Sequence, residues 1–486
     1  MKPNRPRPAR RFTAPAPLLL FCLLCLAATG FAFRPEAREH VDARVRAPRV
    51  LVISLDGLDT RYLLRRDEYN LKIPALRRLM AAGVTARGVV AVYPSVTYPN
   101  HTTMVTGALP ARHRIFANEV FDPASPQSKN GLWFARDIKA DTLWDAAARA
   151  RLSTGMVSWP VACCAGDWNV PEFWKPGGTQ AESFAEIAKH ARPAGLVQEV
   201  AARDRELYSH VTPDEEDDMR TRFAEYIIAE KRPRVMFVHL FDLDHFQHNF
   251  GPFTAEAFAA LEKADGYVER LLAAAARAGT LDETTVFIMS DHGFRRYDKQ
   301  IHPGAILARA GLIEVREERD AKGRMKAIVT DWRAFPVVTG GSCSVMLRDP
   351  KDADALRRAL AALKNYTGEG NQNFLERGQG ILRVIDAREV ARLGGNTDAA
   401  FMLDAGEGYA FGTNLSGDAV TQNRPRGQHG YLPAPDDYRA SFIASGAGVS
   451  RRGLIGEVRM IDIGPTVART LGLTLKDADG RTLKLR

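Results

Sequence analysis

Three short apolar runs, each ending in an acid, constrain this chain more than any other feature. RVLVISLDG covers residues 49–57, RVMFVHLFDLD covers 234–244 and TVFIMSDHG covers 285–293. The runs are continuous rather than alternating, and Val and Ile are enriched, which is the pattern of strands buried on both faces of a parallel sheet. Helical patterns such as TLWDAAARARL and AFAALEKADGYVERLLAAAARAG lie between them. The expected fold is therefore α/β, with a largely parallel central sheet flanked by helices. In such sheets the ligand site lies beyond the carboxyl ends of the strands, where all three acidic tails fall.

The chain has 486 residues, 45% hydrophobic and 26% charged, enough for one large domain or two smaller ones. Two stretches interrupt the alternation and read as insertions or a cap: about 160–230, with tryptophans, prolines and the acidic run DEEDD, and about 335–425, with short strands and Gly-rich turns such as GEGNQN. Residues 1–33 read as a signal peptide or an N-terminal anchor, a basic segment followed by the 17-residue apolar run PLLLFCLLCLAATGFAF. Both readings put the body outside the cytoplasm, periplasmic or secreted, and membrane-anchored if the leader stays. Residues 34–48 read as a tether, leaving 49–486 as the main domain.

The formal charge of +9 is concentrated at the start. The first 50 residues carry ten Lys and Arg against three Asp and Glu, so +7 lies there, and no nucleic-acid binding is read from the weakly cationic body. Of five cysteines, Cys22 and Cys25 fall in the leader. The remaining Cys163, Cys164 and Cys343 allow at most one internal disulfide, and an adjacent Cys-Cys pair matches zinc spacing poorly.

The chemistry-bearing residues gather at the strand ends. Asp56 alone is as readily a helix cap as a ligand. In HLFDLDHFQHNFGP, however, Asp244 and His248 are four apart and share a face if the segment turns helically. SDHG supplies adjacent Asp291 and His292 before a glycine turn, and GQHGY supplies His429 between glycines. Asp, His and hydroxyl ligands suit zinc, and this set suffices for two Zn2+ ions, an arrangement that can clamp an in-line displacement at phosphorus. The nucleophile comes from YPSVTYPNHTT. Thr97 is feeble at its free pKa, but a bound dication lowers that pKa, and a helix expected to begin near Asn100 directs its positive end at the phosphate.

In order, SLDG, YPSVTYPNHTTMVTGALPARH, DxxxHxxGP, SDHG and GxHGY resemble the type I phosphodiesterase and nucleotide pyrophosphatase/phosphodiesterase family of the alkaline phosphatase superfamily, from about Arg49 to the C-terminus. The resemblance implies an alkaline-phosphatase-like catalytic domain with one zinc held by Asp56, Thr97, Asp291 and His292, and a second by Asp244, His248 and His429. It implies a phospho-threonine intermediate on Thr97, and gives Asn118 the role of hydrogen-bonding a non-bridging phosphate oxygen. The family's HGI is His113-Arg114-Ile115 here, and its WPG is Trp159-Pro160-Val161. His101 and His113 are assigned to structure, and His239, His245 and His302 to strand or loop packing. Asp242 is the nearest rival to Asp244, which alone has the family spacing to His248.

Threonine-type phosphate monoesterases of the superfamily place a Lys-x-Arg pair after the strand that follows the nucleophile helix. TGMVSWPVACCAGDW has no Lys or Arg between Thr154 and Trp168, and an uncharged wall at Trp159-Pro160 favours a monoanionic diester. Tyr98, Phe173 and Trp174 are candidates to hold the organic group of a small phosphodiester or nucleotide substrate. A phosphate monoesterase, a phosphonoacetate-type hydrolase and a catalytically silent metal-binding protein remain alternatives. A sulfatase is disfavoured because there is no C-x-P-x-R segment.

Overall fold

The structure, a computed structural model, describes residues 48–486 apart from 175–177, 210, 213–214, 320–322, 324, 365–366, 369–371, 374–379 and 434–437. The chain divides into units 1–46 and 47–486. The expected leader, the tether up to residue 47 and half of the GEGNQN turn lie outside the described residues.

The central sheet takes eight strands: β1 (Arg49–Leu55), β2 (Val84–Ala86), β3 (Thr154–Val157), β4 (Trp168–Val170), β5 (Val235–Leu240), β6 (Thr284–Met289), β7 (Phe442–Gly446) and β8 (Gly453–Ile455). Their order is β8-β2-β7-β6-β1-β5-β3-β4. The three apolar runs form neighbouring parallel strands at the centre, with Val50 opposite Val235 on one side and Arg49 opposite Thr284 on the other. Strand β7 alone runs against the rest.

Alternate side chains explain why these runs are apolar throughout. Val50, Val52, Val235, Phe237, Phe287 and Met289 enter one core, while Leu51, Ile53, Met236, Val238, Val286 and Ile288 enter another. The helices that matter below are α1 (Pro74–Ala82), α2 (Thr97–Thr106), α3 (Gln180–His190), α4 (Asp217–Tyr226), α5 (Asp242–Phe250) and α6 (Ala255–Arg277). Helix α6 buries Ala257, Ala260, Leu261, Ala264, Val268, Leu271 and Ala275, the three-and-four spacing of an amphipathic helix packed on a sheet.

The segment around 160–230 supplies the edge strand β4 as well as α3 and α4. The segment around 335–425 builds a four-stranded antiparallel sheet from Ala334–Thr339, Ser342–Leu347, Phe401–Ala405 and Ile381–Asp386, with a separate apolar core. Cys163, Cys164 and Cys343 are free thiols. Among the described residues no helix is long and apolar enough to cross a membrane.

Candidate active site

Each ligand-type residue is delivered by a strand ending. The Asp56 N–H donates to Leu240 O at the end of β5 (2.9 Å), which stitches two strand ends together. Gly57 follows with φ +68°, and an added Cβ there would meet the Phe294 ring at 2.6 Å, so the turn needs glycine. The Gly57 N–H reaches Asp291 Oδ1 at 3.2 Å, tying in the end of β6. After β5 the chain enters α5, placing His248 Nε2 3.4 Å from Asp244 Oδ2 across one helical turn. His429 follows the strand Val420–Gln428, and Gly430 beside it has φ +94° with room for no Cβ, the nearest atom being Thr339 O at 2.0 Å.

Asp242 is occupied elsewhere. Its carboxylate accepts from Glu216 N (3.0 Å) and Asp217 N (3.4 Å), while Asp217 accepts from Phe241 N and Asp242 N, both at 2.9 Å. Helices α4 and α5 thus cap one another, which leaves Asp244 to face the strand ends. Burial pushes Asp217 up to about 7 and Asp242 up to about 6.

The structure brings Asp56, Asp244, His248, Asp291, His292 and His429 together. His292 Nε2 lies 3.0 Å from Asp291 Oδ2, 3.3 Å from Asp56 Oδ1 and 4.0 Å from Asp244 Oδ1, and His429 Nε2 lies 3.8 Å from Asp244 Oδ1. Two groups can each hold a metal ion, Asp244 with His248 and His429, and Asp56 with Asp244 and His292. Asp244 therefore belongs to both groups, whereas the resemblance gave it to one. Asp56 Oδ1, Asp244 Oδ1, Asp291 Oδ2 and both nitrogens of His292 are buried without a hydrogen-bond partner. Orphaned donors of this kind, converging from separate elements, fit metal ions bound by oxygen and imidazole.

Other interactions orient these rings. His248 Nδ1 donates to Gly427 O (3.2 Å) and His429 Nδ1 to Ser95 O (3.3 Å), so each ring keeps Nε2 for a ligand role. Burial, then Asp291 and Asp244, push the Asp56 carboxyl well above its usual range. Burial opposes charge on His292, yet its carboxylate neighbours, Asp291 first, raise it to about 9. Burial and the adjacent His292 and His248 hold His429 well below its usual value.

Helix α2 begins at Thr97 itself, three residues earlier than the sequence reading placed it, with Val96, extended at φ −119° and ψ 162°, as its cap. Thr97 is 8% exposed and lines a cavity of about 370 Å3 with Asp56, Asp244 and Asn118. Asn118 Oδ1 accepts the Tyr98 N–H at 2.9 Å, which pins the amide beside the threonine. His101 supports the same turn, with Nδ1 on Thr97 O (2.9 Å) and Nε2 on Ser54 Oγ (2.8 Å). His113 bonds Thr103 and the Ile115 amide. Arg114 caps the short helix Pro110–His113 at φ +66°, a conformation that glycine adopts freely, and its guanidinium grips Asp398.

Tyr98, Phe173 and Trp174 line the same cavity. Tyr98 is almost fully buried, with its hydroxyl donating to Glu172 Oε1 at 3.0 Å, and Phe173 stacks on Trp133 at 4.9 Å. Trp159 does not form the wall expected of it. It is 1% exposed and packs beneath His101 and Phe237, while Ser158 faces the cavity. Val161, where the family has glycine, holds φ +55°.

Sequence reasoning missed three residues. His239 is no packing histidine, since its Nε2 lies 2.9 Å from Asp56 Oδ2 and its Nδ1 lies 3.0 Å from Ser158 O and 3.3 Å from Glu172 Oε2. Glu172 is half-buried in the cavity wall, where desolvation opposes its charge and His239, then Arg220, keep it. Arg220 also lines the cavity, stacked on Phe241 and bonded to Glu216 at 3.2 Å, so the wall carries charge after all. The position of His239 at the end of β5, directly opposite Ser54 of β1, was the one available signal. His245 pairs with Asn249, and His302 with Thr421 and the Asn414 amide.

A second cavity, of about 1020 Å3, is lined by Val96, His429, Lys129 and Lys326, and Asn118 lines both cavities.

The sequence profile of the type I phosphodiesterase / nucleotide pyrophosphatase family matches residues 50–432. The chain is 25% identical over 274 residues to ectonucleotide pyrophosphatase/phosphodiesterase family member 1 of Rattus norvegicus, covering 54% of this chain and 26% of that one. It is 24% identical over 297 residues to family member 5 of Homo sapiens, covering 58% and 50%. The matched stretch thus spans a quarter to half of the length of these relatives. Among solved structures, human ectonucleotide pyrophosphatase/phosphodiesterase 5 superposes with a TM-score of 0.61 at 19% identity, over 89% of this chain and 97% of that one. An inactive murine form of the same enzyme, in complex with AMP, gives 0.59 at 19% over 88% and 96%.

Proposed function

Because the chain belongs to the type I phosphodiesterase / nucleotide pyrophosphatase family, we propose that it is an exported di-zinc phosphodiesterase or nucleotide pyrophosphatase that cleaves phosphodiester or phosphoanhydride bonds through Thr97. The observation that carries the diester reading is the pair of cavities meeting at Asn118 beside the threonine. A diester or anhydride has a substituent on each side of phosphorus and needs two spaces, whereas a monoester needs one.

Zinc held by Asp56, Thr97, Asp291 and His292, and by Asp244, His248 and His429, would favour the ionised threonine hydroxyl and offset charge on the attacking and leaving oxygens. Thr97 Oγ1 attacks phosphorus as the bond to the leaving oxygen breaks, and water then displaces threonine to release the monoester. Asn118, its oxygen fixed by the Tyr98 amide, presents its NH2 to a non-bridging oxygen as that oxygen gains charge. The first turn of α2 adds its positive end at the same place. Tyr98, Phe173 and Trp174 hold the organic group on one side.

The test is hydrolysis of bis-p-nitrophenyl phosphate against p-nitrophenyl phosphate by the zinc-loaded full chain and its Thr97→Ala variant. Preference for the diester, abolished by the substitution, is expected. Preference for the monoester would show that charge from Arg220 substitutes for a Lys-x-Arg pair and would overturn the diester reading.

A further inference from the structure

Cys163 and Cys164 take no part in the chemistry above, yet the fold brings His190 to them. The nitrogen of His190 and the two sulfurs lie within 4.8 Å of one another, and the sulfurs are 3.3 Å apart. The adjacent cysteines by themselves lack zinc spacing. The third donor arrives from the last residue of α3, 26 positions later than Cys164, where no local pattern reveals it.

The geometry points to a second, independent metal site at Cys163, Cys164 and His190 that takes a thiophilic divalent cation, zinc-like in its ligand preference. The loop bearing the cysteines is already rigid. Cys163 N donates to Trp133 O (2.9 Å) and its carbonyl accepts from Ala135 N (3.2 Å). Asn169 Nδ2 donates to Ala162 O (2.6 Å) and Ala165 O (3.0 Å), and Arg192 Nη1 donates to Cys164 O (2.6 Å). Those carbonyls are therefore engaged, and the sulfurs are the groups the loop leaves for a ligand.

Cys164 sits at φ +69°, a left-handed conformation that brings adjacent side chains to one side. A tetrahedral zinc with Zn–S bonds of about 2.3 Å sets its sulfurs about 3.8 Å apart, so the pair must open by only about half an ångström. His190 is placed by stacking on Phe173 (5.4 Å, 10° between planes) and by the edge of Phe134 (5.5 Å). Glu186 Oε2 lies 3.4 Å from His190 Nε2, the carboxylate–imidazole pairing that orients a ligating ring. Cys163 is buried and Cys164 is exposed on a cavity lined by Arg136 and Arg192, so an ion has an entry path and a fourth position open to solvent. Burial, then the neighbouring Cys164, push the Cys163 thiol well up, with Arg136 the smaller opposing influence, so a bound cation must displace the thiol proton. Bound there, the cation ties the end of α3 to the loop between β3 and β4, behind the aromatic wall that Phe173 forms.

The test uses Co2+ as probe on the full chain, reduced and desalted without air. With Cys22→Ser and Cys25→Ser as the background, and with carboxylates, imidazoles and a hydroxyl as the ligands at the strand ends, a near-ultraviolet thiolate-to-cobalt band reports the Cys163–Cys164 cluster. Expected are that band, its displacement by Zn2+, one cobalt fewer in Cys164→Ser with the band lost, and affinity at least about tenfold weaker in His190→Ala. Cys164→Ser keeps wild-type hydrolysis of bis-p-nitrophenyl phosphate, and Asp244→Asn keeps the band. A reduced chain with no band whose Cys164 stays fully reactive toward a thiol reagent in excess Co2+ would overturn the assignment, as would a band that survives Cys164→Ser.

Discussion

Asn118 offers a substitution whose two halves separate cleanly. Its oxygen holds the Tyr98 N–H at 2.9 Å, a backbone task, and its NH2 is the half assigned to the phosphate. Asn118→Ala removes both. Losing one donor to a developing oxyanion costs about 3 kcal/mol, so kcat should fall about 100-fold. Asn118→Asp keeps an acceptor for the Tyr98 amide and so keeps the turn at Thr97, but it sets a carboxylate against the phosphate. Two unit charges about 4 Å apart at an effective dielectric constant near 20 repel by about 4 kcal/mol. Halving that for nearby dications leaves about 2 kcal/mol, a further factor of about 30. The assay is kcat on bis-p-nitrophenyl phosphate with the zinc content of each variant measured in parallel. An Asp variant as active as the Ala variant, or an Ala variant within tenfold of wild type, would refute the reasoning.

Three further outcomes follow from the same geometry. His239→Phe strips Asp56 Oδ2 of its 2.9 Å partner, and metal affinity should drop about 10- to 100-fold in a chelator competition. Asp244→Asn should raise the melting temperature of chelator-treated protein, because it relieves repulsion among Asp56, Asp244 and Asp291, and lower it in excess zinc, reversing the order of the two proteins. Asp404, buried, accepts from the Leu432 amide at 2.7 Å, and burial pushes its carboxyl up to about 6. The folded chain therefore binds that proton more tightly than the unfolded chain, so this stabilisation is complete below about pH 4 and lost as pH rises through about 6. Asp404→Asn should shrink the fall in stability between pH 4 and 7 by up to about 3 kcal/mol, read from denaturant melts.

The sheet was legible because its signal is local. A strand buried on both faces must be apolar at every position, and Val50 through Leu55, Val235 through Leu240 and Val286 through Met289 are apolar at nearly all of them. Asp56, Asp244, Asp291 and His292 were legible for the same reason, since each stands at or within about a turn of a strand ending, and His248 was legible from its spacing of four to Asp244. Thr97 was found because the strand-end ligands lack a nucleophile and YPSVTYPNHTT offers its hydroxyl, although the helix start falls at Thr97 rather than near Asn100: proline suits the first turn of a helix, and the helix includes Pro99. The surroundings were not legible. Glu172, His239 and Arg220 come from three separate elements, and each alone reads as an ordinary polar residue until the fold places them around one cavity. Trp159 was misjudged because its neighbour Ser158 carries φ +52°, which turns the chain so that the serine faces the cavity and the indole enters the core. The same limit hid His190 from the cysteines.

The most direct test of the central claim is to trap the reaction on Thr97. The zinc-loaded full chain, mixed with excess bis-p-nitrophenyl phosphate and quenched in acid within the first turnover, is digested and mapped by mass spectrometry. The account predicts a p-nitrophenyl phosphate ester confined to the peptide carrying Thr97 and absent from Thr97→Ala. Full turnover by the Thr97→Ala protein, or an adduct on any other residue, would contradict it.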